Sequence, residues 1–334
     1  MGDRSRPTFH CCPLQCNTAG VTLFLQANRV YAVKDTTCIC EALATQIWRL
    51  TAAREQRVAL GAPLHPPRAT TGTLAGTYMQ DLLGKVALIS GGTTGIGLAA
   101  AKAFVASGAK VVVAARNPER GIQAEQELKH LGGDAAFRRC DVTDPSSVAD
   151  LVAFVADRFG QLNCAVNGAA FDSRPSATHE VPCDEAGKAI STDVLGVFNC
   201  MKYEIGTMLQ GGGGTIVNIS SVNGLSGAPN AAVYSAGKHA VIGLTRSMAK
   251  EYIARGIRIN AVCPGATETP RRERRTAHLT SKERREDQER LSQAIPIGRL
   301  AMAEEIASAI LWLSSTASSY VVGHSLVVDG GLHA

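Results

Sequence analysis

What this 334-residue chain lacks narrows it first. It contains no run of 18 or more uncharged apolar residues, so no segment reads as a transmembrane helix and no membrane partner is expected. No broad excess of one charge is present either. The formal net charge of +5 is concentrated in residues 1–79, with eight Lys or Arg against four Asp or Glu, and the remainder carries 26 against 25. A main body so close to neutral argues against a nucleic-acid partner. Paired Cys-x-x-Cys spacing is missing too. Cys11, Cys12, Cys16, Cys38 and Cys40 form Cys-Cys-x-x-x-Cys and Cys-x-Cys groups that do not match known zinc sites, so no metal is expected. A myristoylation signal fails at Arg6, where Ser or Thr would be needed.

What is present supports a folded protein. The 45% apolar content suffices for a sizeable core. Cys140, Cys164, Cys183, Cys200 and Cys263 are spread through apolar segments, which suits burial in a reducing compartment and a cytoplasmic protein. Residues 1–78 show no sustained period, and 61–72 read as a Gly- and Pro-containing linker, so this extension is expected to be disordered or a leader. Its low acidity and scattered arginines fit an organelle transit peptide; an untranslated leader joined to the gene fits equally. The apolar patch 21–25 is too short for a secretory core.

From Lys85 onward, short apolar runs alternate with helical patterns. Strands are predicted at 86–90, 110–115, 135–140, 164–167, 215–220, 258–262 and 325–328, and helices at 95–107, 118–131, 145–159, 185–209, 234–252 and 303–313. Such alternation implies an α/β fold, a doubly wound parallel sheet of about seven strands forming a single domain over 79–334. The turn Ser90-Gly91-Gly-Thr-Thr94-Gly95-Ile96-Gly97 lies between the first strand and the first helix. Glycines there let the backbone approach a pyrophosphate, and the helix N-terminus offers N–H groups to it. The second strand ends at Ala115-Arg116, without the acid that NAD-binding folds use for the ribose 2′-OH. Arg116 suits a 2′-phosphate, so NADP(H) is the expected cofactor, with NAD(H) possible.

In Tyr234-Ser-Ala-Gly-Lys238, one helical turn sets a phenol beside an ammonium. A cation within about 4 to 6 Å favours the phenolate. Ser221, thirteen residues upstream at the end of a predicted strand, would bring a hydroxyl to the same place. Together with Asp141 and Pro264-Gly265, these motifs make residues 82–332 resemble a short-chain dehydrogenase/reductase. The resemblance implies a Rossmann-type sheet in the order 3-2-1-4-5-6-7, a small-molecule substrate and a homo-oligomer, tetramer or dimer. It implies Tyr234 as the acid/base, Ser221 as a hydrogen bond to the reacting oxygen, and Lys238 on the nicotinamide ribose. It also implies Asp141 and Val142 at the adenine, Asn167 near the ribose, and Pro264, Gly265, Thr267 and Thr269 around the nicotinamide.

Three positions depart from the family pattern. Ser90 stands where Thr is usual, and Asn167-Gly-Ala-Ala170 replaces Asn-Asn-Ala-Gly. Asp193 occupies the position of the family's catalytic Asn, which anchors a helix kink and a water feeding the lysine. The arginine-rich stretch 271–290 lies where the family has its substrate lid, and reads either as a solvated helix face or as an anchor for an acidic or carrier-linked substrate. The expected reaction interconverts a secondary alcohol and a ketone. A turnover-deficient dinucleotide-binding scaffold is the alternative, and a lyase-like variant of the fold a further one.

Because residues 1–78 have no amphipathic pattern able to bury a core, a protein beginning at Met79 is expected to melt and to work like the full chain. Loss of activity, or of several degrees in melting temperature, would overturn that expectation.

Overall fold

Strands buried on both faces must be largely apolar, and the main sheet of this chain is built on such runs, with residues 86–89 and 111–114 buried throughout. The computed structural model describes residues 23–26, 29–32 and 81–334. Within the unit 1–71, β1 (Leu23–Gln26) and β2 (Arg29–Ala32) make an antiparallel hairpin, in which Leu23 pairs with Ala32. Other readings of the extension, including its cysteine groups, linker and signals, lie outside the described residues.

In the unit 72–334, β3 (Val86–Ser90), β4 (Lys110–Ala115), β5 (Ala135–Arg139), β6 (Cys164–Asn167), β7 (Gly214–Ile219), β8 (Ile257–Pro264) and β9 (Ser325–Val328) form one sheet. Its order is β5-β4-β3-β6-β7-β8-β9, and every pairing is parallel. This is the expected 3-2-1-4-5-6-7 arrangement. Side chains alternate between two cores with the period of two that a strand dictates. Ala87, Ile89, Val111 and Val113 face one core, with Phe104, Ile306 and Ile310 from the covering helices. Val86, Leu88 and Val112 face the other, against Leu151, Met201 and Val241.

Covering helices are α1 (Gly95–Ala106), α2 (Pro118–His130), α3 (Pro145–Phe159), α4 (Cys183–Ile190), α5 (Gly196–Gln210), α6 (Ala232–Tyr252), α7 (Pro270–Thr276), α8 (Ser281–Ala294) and α9 (Ala303–Ser314). Asn117 caps α2 by accepting from Arg120 N–H, and Asp144 caps α3 by accepting from Ser146 N–H; each is followed by Pro at the first helical position. The continuous helix expected at 185–209 is a correction. A π turn at Ser191–Leu195 divides it, keeping the direction of the chain while re-aiming its side chains. Cys183 is another: it is exposed, whereas Cys140, Cys164, Cys200 and Cys263 are buried. Among the described residues, no helix is long and apolar enough to cross a membrane, and no cluster of three or more His, Cys, Asp or Glu is arranged around a metal.

A polar network runs through the second core. Asn167 Nδ2 donates to Glu204 Oε2 and Asn218 Oδ1, both at 3.0 Å, and Asn218 Nδ2 donates to Thr245 Oγ1 at 2.9 Å. Glu204 is fully buried and its Oε1 has no partner among the described residues. Burial pushes the Glu204 carboxyl up to about 7, against the opposing hydrogen bond from Asn167.

A carboxyl raised in the folded state favours folding in its neutral form, so this stabilisation is complete below the unfolded value near 4.5 and is lost as pH rises through about 7. The loss is on the order of 3 kcal/mol. Thermal melts of the native protein and Glu204→Gln between pH 5 and 8 are expected to diverge in favour of the variant as pH rises. A pH-independent difference would show that Glu204 does not titrate there.

Candidate active site

The site forms where strand order reverses, at the carboxyl ends of β3 and β6, which is where an open α/β sheet leaves a crevice. A cavity of about 970 Å³ opens there. Gly91, Thr94, Gly95, Ile96 and Gly97 form one wall. Their backbone is one that side chains would obstruct. Gly91 has φ +69°, and a Cβ on it would lie 2.7 Å from the backbone of Gly168 and Ala169; a Cβ on Gly97 would lie 2.2 Å from Gly91 O. Thr94 stands at the N-cap of α1 without a side-chain hydrogen bond to the helix, unlike Asn117 and Asp144. The first-turn N–H groups of α1 therefore face the cavity without a cap. Such a turn fits a pyrophosphate, because it combines close backbone approach with N–H donors and the positive end of a helix.

Arg116, exposed, stands on the rim beside Ala115, Asn117 and Arg120. Arg120 belongs to no motif in the sequence; its place in the first turn of α2, four residues after Arg116, is the signal available for it. Asp141 and Val142 line the same end, and Asp141 Oδ1 accepts from Thr143 N–H at 3.0 Å and Thr143 Oγ1–H at 2.8 Å, which locks its rotamer. Pro264, Gly265, Thr267 and Thr269 also line the cavity, Thr269 beside Gly95. Asn167 does not line the cavity: its amide turns into the core network, and Gly168, Ala169 and Ala170 form the wall in its place. Ser90 joins that network by donating to Asn167 Oδ1 at 3.3 Å. Gly168 fits the sequence departure at this point, since a Cβ there would meet Ile219 Cδ1 at 2.9 Å.

The polar centre is assembled by β7 and α6. β7 ends at Ile219, one residue short of the expected end at 220 and two before Ser221. Ser221 instead caps a short 3-10 turn, its Oγ accepting from Asn223 N–H at 3.2 Å, which leaves its own proton available to a ligand. Tyr234 lies in the first turn of α6 and Lys238 one turn later. Lys238 is buried, and its Nζ donates to Ile219 O at 2.9 Å and lies 5.7 Å from the Tyr234 ring centroid. Ser221, Tyr234 and Lys238 thus meet in one cavity.

Asp193 sits in the π turn rather than on the cavity wall. Its Oδ1 accepts from Phe171 N–H at 2.6 Å, and a Cβ on Gly237 would touch its Cβ at 3.2 Å. The arginine-rich stretch divides. α8 is a largely exposed, polar helix, whereas Arg271, Arg272, Arg274 and Arg275 on α7 line the cavity. Arg271 and Arg275 lie over the Tyr234 ring, a placement that a charge run does not reveal because it depends on how α7 docks.

Residues 91–333 match the family model described as Enoyl-(Acyl carrier protein) reductase. The chain is 41% identical over 257 residues to the 2,5-dichloro-2,5-cyclohexadiene-1,4-diol dehydrogenase of Sphingobium indicum, a match spanning 77% of this chain and 100% of that protein. Identity to the A-factor type gamma-butyrolactone 1'-reductase (1S-forming) of Streptomyces virginiae is 42% over 257 residues, spanning 76% of this chain and 98% of that one. Among solved structures, an actinorhodin polyketide ketoreductase variant with NADPH has a TM-score of 0.70 and 37% identity, covering 75% of this chain and 97% of its own. With the sheet order, the glycine turn and the Ser221, Tyr234 and Lys238 grouping already in view, these matches establish that the chain belongs to the short-chain dehydrogenase/reductase family of oxidoreductases.

Proposed function

We propose that this chain interconverts a secondary alcohol and a ketone on a small or mid-sized organic molecule, with NADP(H) preferred. The observation that carries the reading is a single cavity holding both an uncapped glycine-rich helix start and the Ser221, Tyr234 and Lys238 side chains. A nicotinamide dinucleotide bound there would supply or accept the hydride. Gly91 to Gly97 would hold its pyrophosphate, Asp141 and Val142 its adenine, Lys238 its nicotinamide ribose, and Pro264, Gly265, Thr267 and Thr269 its nicotinamide.

This chain's own part is binding, orientation and proton transfer. Tyr234 gives its phenolic proton to the carbonyl oxygen during reduction and takes it back during oxidation. The Lys238 ammonium, held against Ile219 O, stabilises the phenolate that results. Ser221, its Oγ fixed by Asn223 N–H, donates to the same oxygen as charge develops on it. No observation favours the scaffold alternative, since all three groups are intact. Association into a tetramer or dimer is supported by β9 at the sheet edge, with Val327 39% and Tyr320 99% exposed.

Turnover is tested by screening ketones and alcohols with both cofactors at the reduced-nicotinamide absorbance band. Tyr234→Phe is expected to lower kcat by roughly 10² to 10⁴ while cofactor affinity stays close to that of the native protein. Native kcat in the Phe variant would remove Tyr234 from the mechanism.

Cofactor preference rests on Ala115, which has no carboxylate to repel a 2′-phosphate, and on Arg116, with Arg120 on the same rim. A charge-assisted pair contributes on the order of 1.5 to 3 kcal/mol, roughly 10- to 100-fold in affinity. Thr94, where many NADPH users carry a second basic residue, sets the expectation toward the lower end. Ala115→Asp is expected to reverse the preference in kcat/KM. A native protein that favours NADH would show that Arg116 points to solvent.

A further inference from the structure

Resting on the oxidoreductase reading of the same cavity, the docking of α7 narrows the substrate. Arg271 and Arg275 are one helical turn apart, so a single face of α7 brings both guanidinium groups to Tyr234. Their central carbons lie 5.1 and 5.7 Å from the Tyr234 ring centroid. Both are fixed from behind by the segment after β6: Arg271 Nη2 donates to Phe171 O at 2.6 Å, and Arg275 Nη2 donates to Ser173 O at 2.9 Å. Neither is a freely solvated surface charge, because both are half-buried.

Their counter-charge is incomplete. Asp172 Oδ1 lies 3.3 Å from Arg271 Nε, while Asp172 Oδ2 accepts from Arg274 Nε at 2.8 Å. Arg272 is taken by Asp287 at 2.8 Å. Among the described residues, Arg275 has no carboxylate within ion-pair distance, and its buried Nε has no hydrogen-bond partner. Arg271 Nε lacks hydrogen-bond geometry despite its approach to Asp172. Burial first, and the Arg271 cation second, push Arg275 below the usual guanidinium range. Half-buried cations with unspent donors are costly in a pocket meant for a neutral molecule and well matched to an anion.

We propose that Arg271 and Arg275 receive a carboxylate of the substrate, so that the compound reduced or oxidised is a short oxo- or hydroxycarboxylic acid. The planar forks of two arginines suit a carboxylate, and their nearness to the phenol places that group a few bonds from the reacting carbon. Anchored on α7, the acid is oriented with its oxygen toward Tyr234 and Ser221.

The test compares acetoacetate and 4-oxocyclohexanecarboxylate with their methyl esters, using reduced nicotinamide cofactor. The native protein is expected to favour at least one acid over its ester by about tenfold or more in kcat/KM. Arg275→Met and Arg271→Met should each collapse that ratio toward one, chiefly through KM for the acid, and Arg275→Lys should restore part of it. Melting temperature and reduced-cofactor affinity are measured on every variant. Esters turned over as well as acids by the native protein would overturn the inference while leaving the oxidoreductase reading intact. So would an acid-to-ester ratio unchanged in the variants, or a loss of cofactor affinity that accounts for the whole effect. If neither acids nor neutral carbonyl compounds are turned over, the oxidoreductase reading falls and the inference with it.

Discussion

A buried ammonium holds this site together. Lys238 is 3% exposed and donates to the Ile219 carbonyl, the last residue of β7. Removing a charge from water is costly unless it is met by hydrogen bonds, so this bond fixes where α6 lies against the end of the strand. Ser220 Oγ–H donates to the Lys238 carbonyl at 2.9 Å, and a Cβ on Gly224 would sit 2.7 Å from that same oxygen. Strand end, 3-10 turn and helix are thereby locked together. With them locked, Ser221 and Tyr234 have little freedom to separate, and two side chains thirteen positions apart become one functional unit.

The sheet makes that grouping useful by putting it opposite the glycine turn. β6 pairs with β3 on the side away from β4, so the chain crosses from one side of β3 to the other after β5. Connections on either side of that reversal diverge, and the cavity lies between them. The polar network beneath, from Ser90 through Asn167 to Asn218 and Thr245, ties β3, β6, β7 and α6 together on the core side. Its one expensive member is Glu204, a carboxyl without water. Burial that raises the Glu204 carboxyl therefore acts directly beneath the site, through Asn167.

The strands were legible in the sequence because a parallel sheet covered on both faces writes itself as short continuous apolar runs, and Val86–Ser90 and Lys110–Ala115 are such runs. The glycine turn and the Tyr234–Lys238 spacing were legible because each is a local geometric requirement. Features that depend on docking were hidden. The π turn at Ser191–Leu195 adds one residue to a turn of helix without disturbing composition, so 185–209 reads as continuous. Asn167 reads as a ligand from its place at the end of β6, yet whether its amide faces the cavity or the core is decided by Glu204 and Asn218, far along the chain. The α7 arginines look like any solvated run until Phe171 and Ser173 carbonyls fix two of them over the phenol.

Asp193 connects these threads. At this position the backbone needs an acceptor for Phe171 N–H and a side chain slim enough to lie against Gly237, and Asp and Asn satisfy both through the same Oδ1. The choice between them is therefore not forced by the turn. What Asp brings is a carboxyl group at 2% exposure, close to a cavity that already contains Lys238, Arg271 and Arg275. Asp193 acts with Tyr234 and Asp172 to favour the Arg275 cation, against burial and the neighbouring Arg271. A neutral Asn would leave that guanidinium less compensated. Asp193 and Arg275 are thus coupled electrostatically, with burial and Arg271 dominating the Arg275 guanidinium and Asp193 the smallest of the influences that favour its cation.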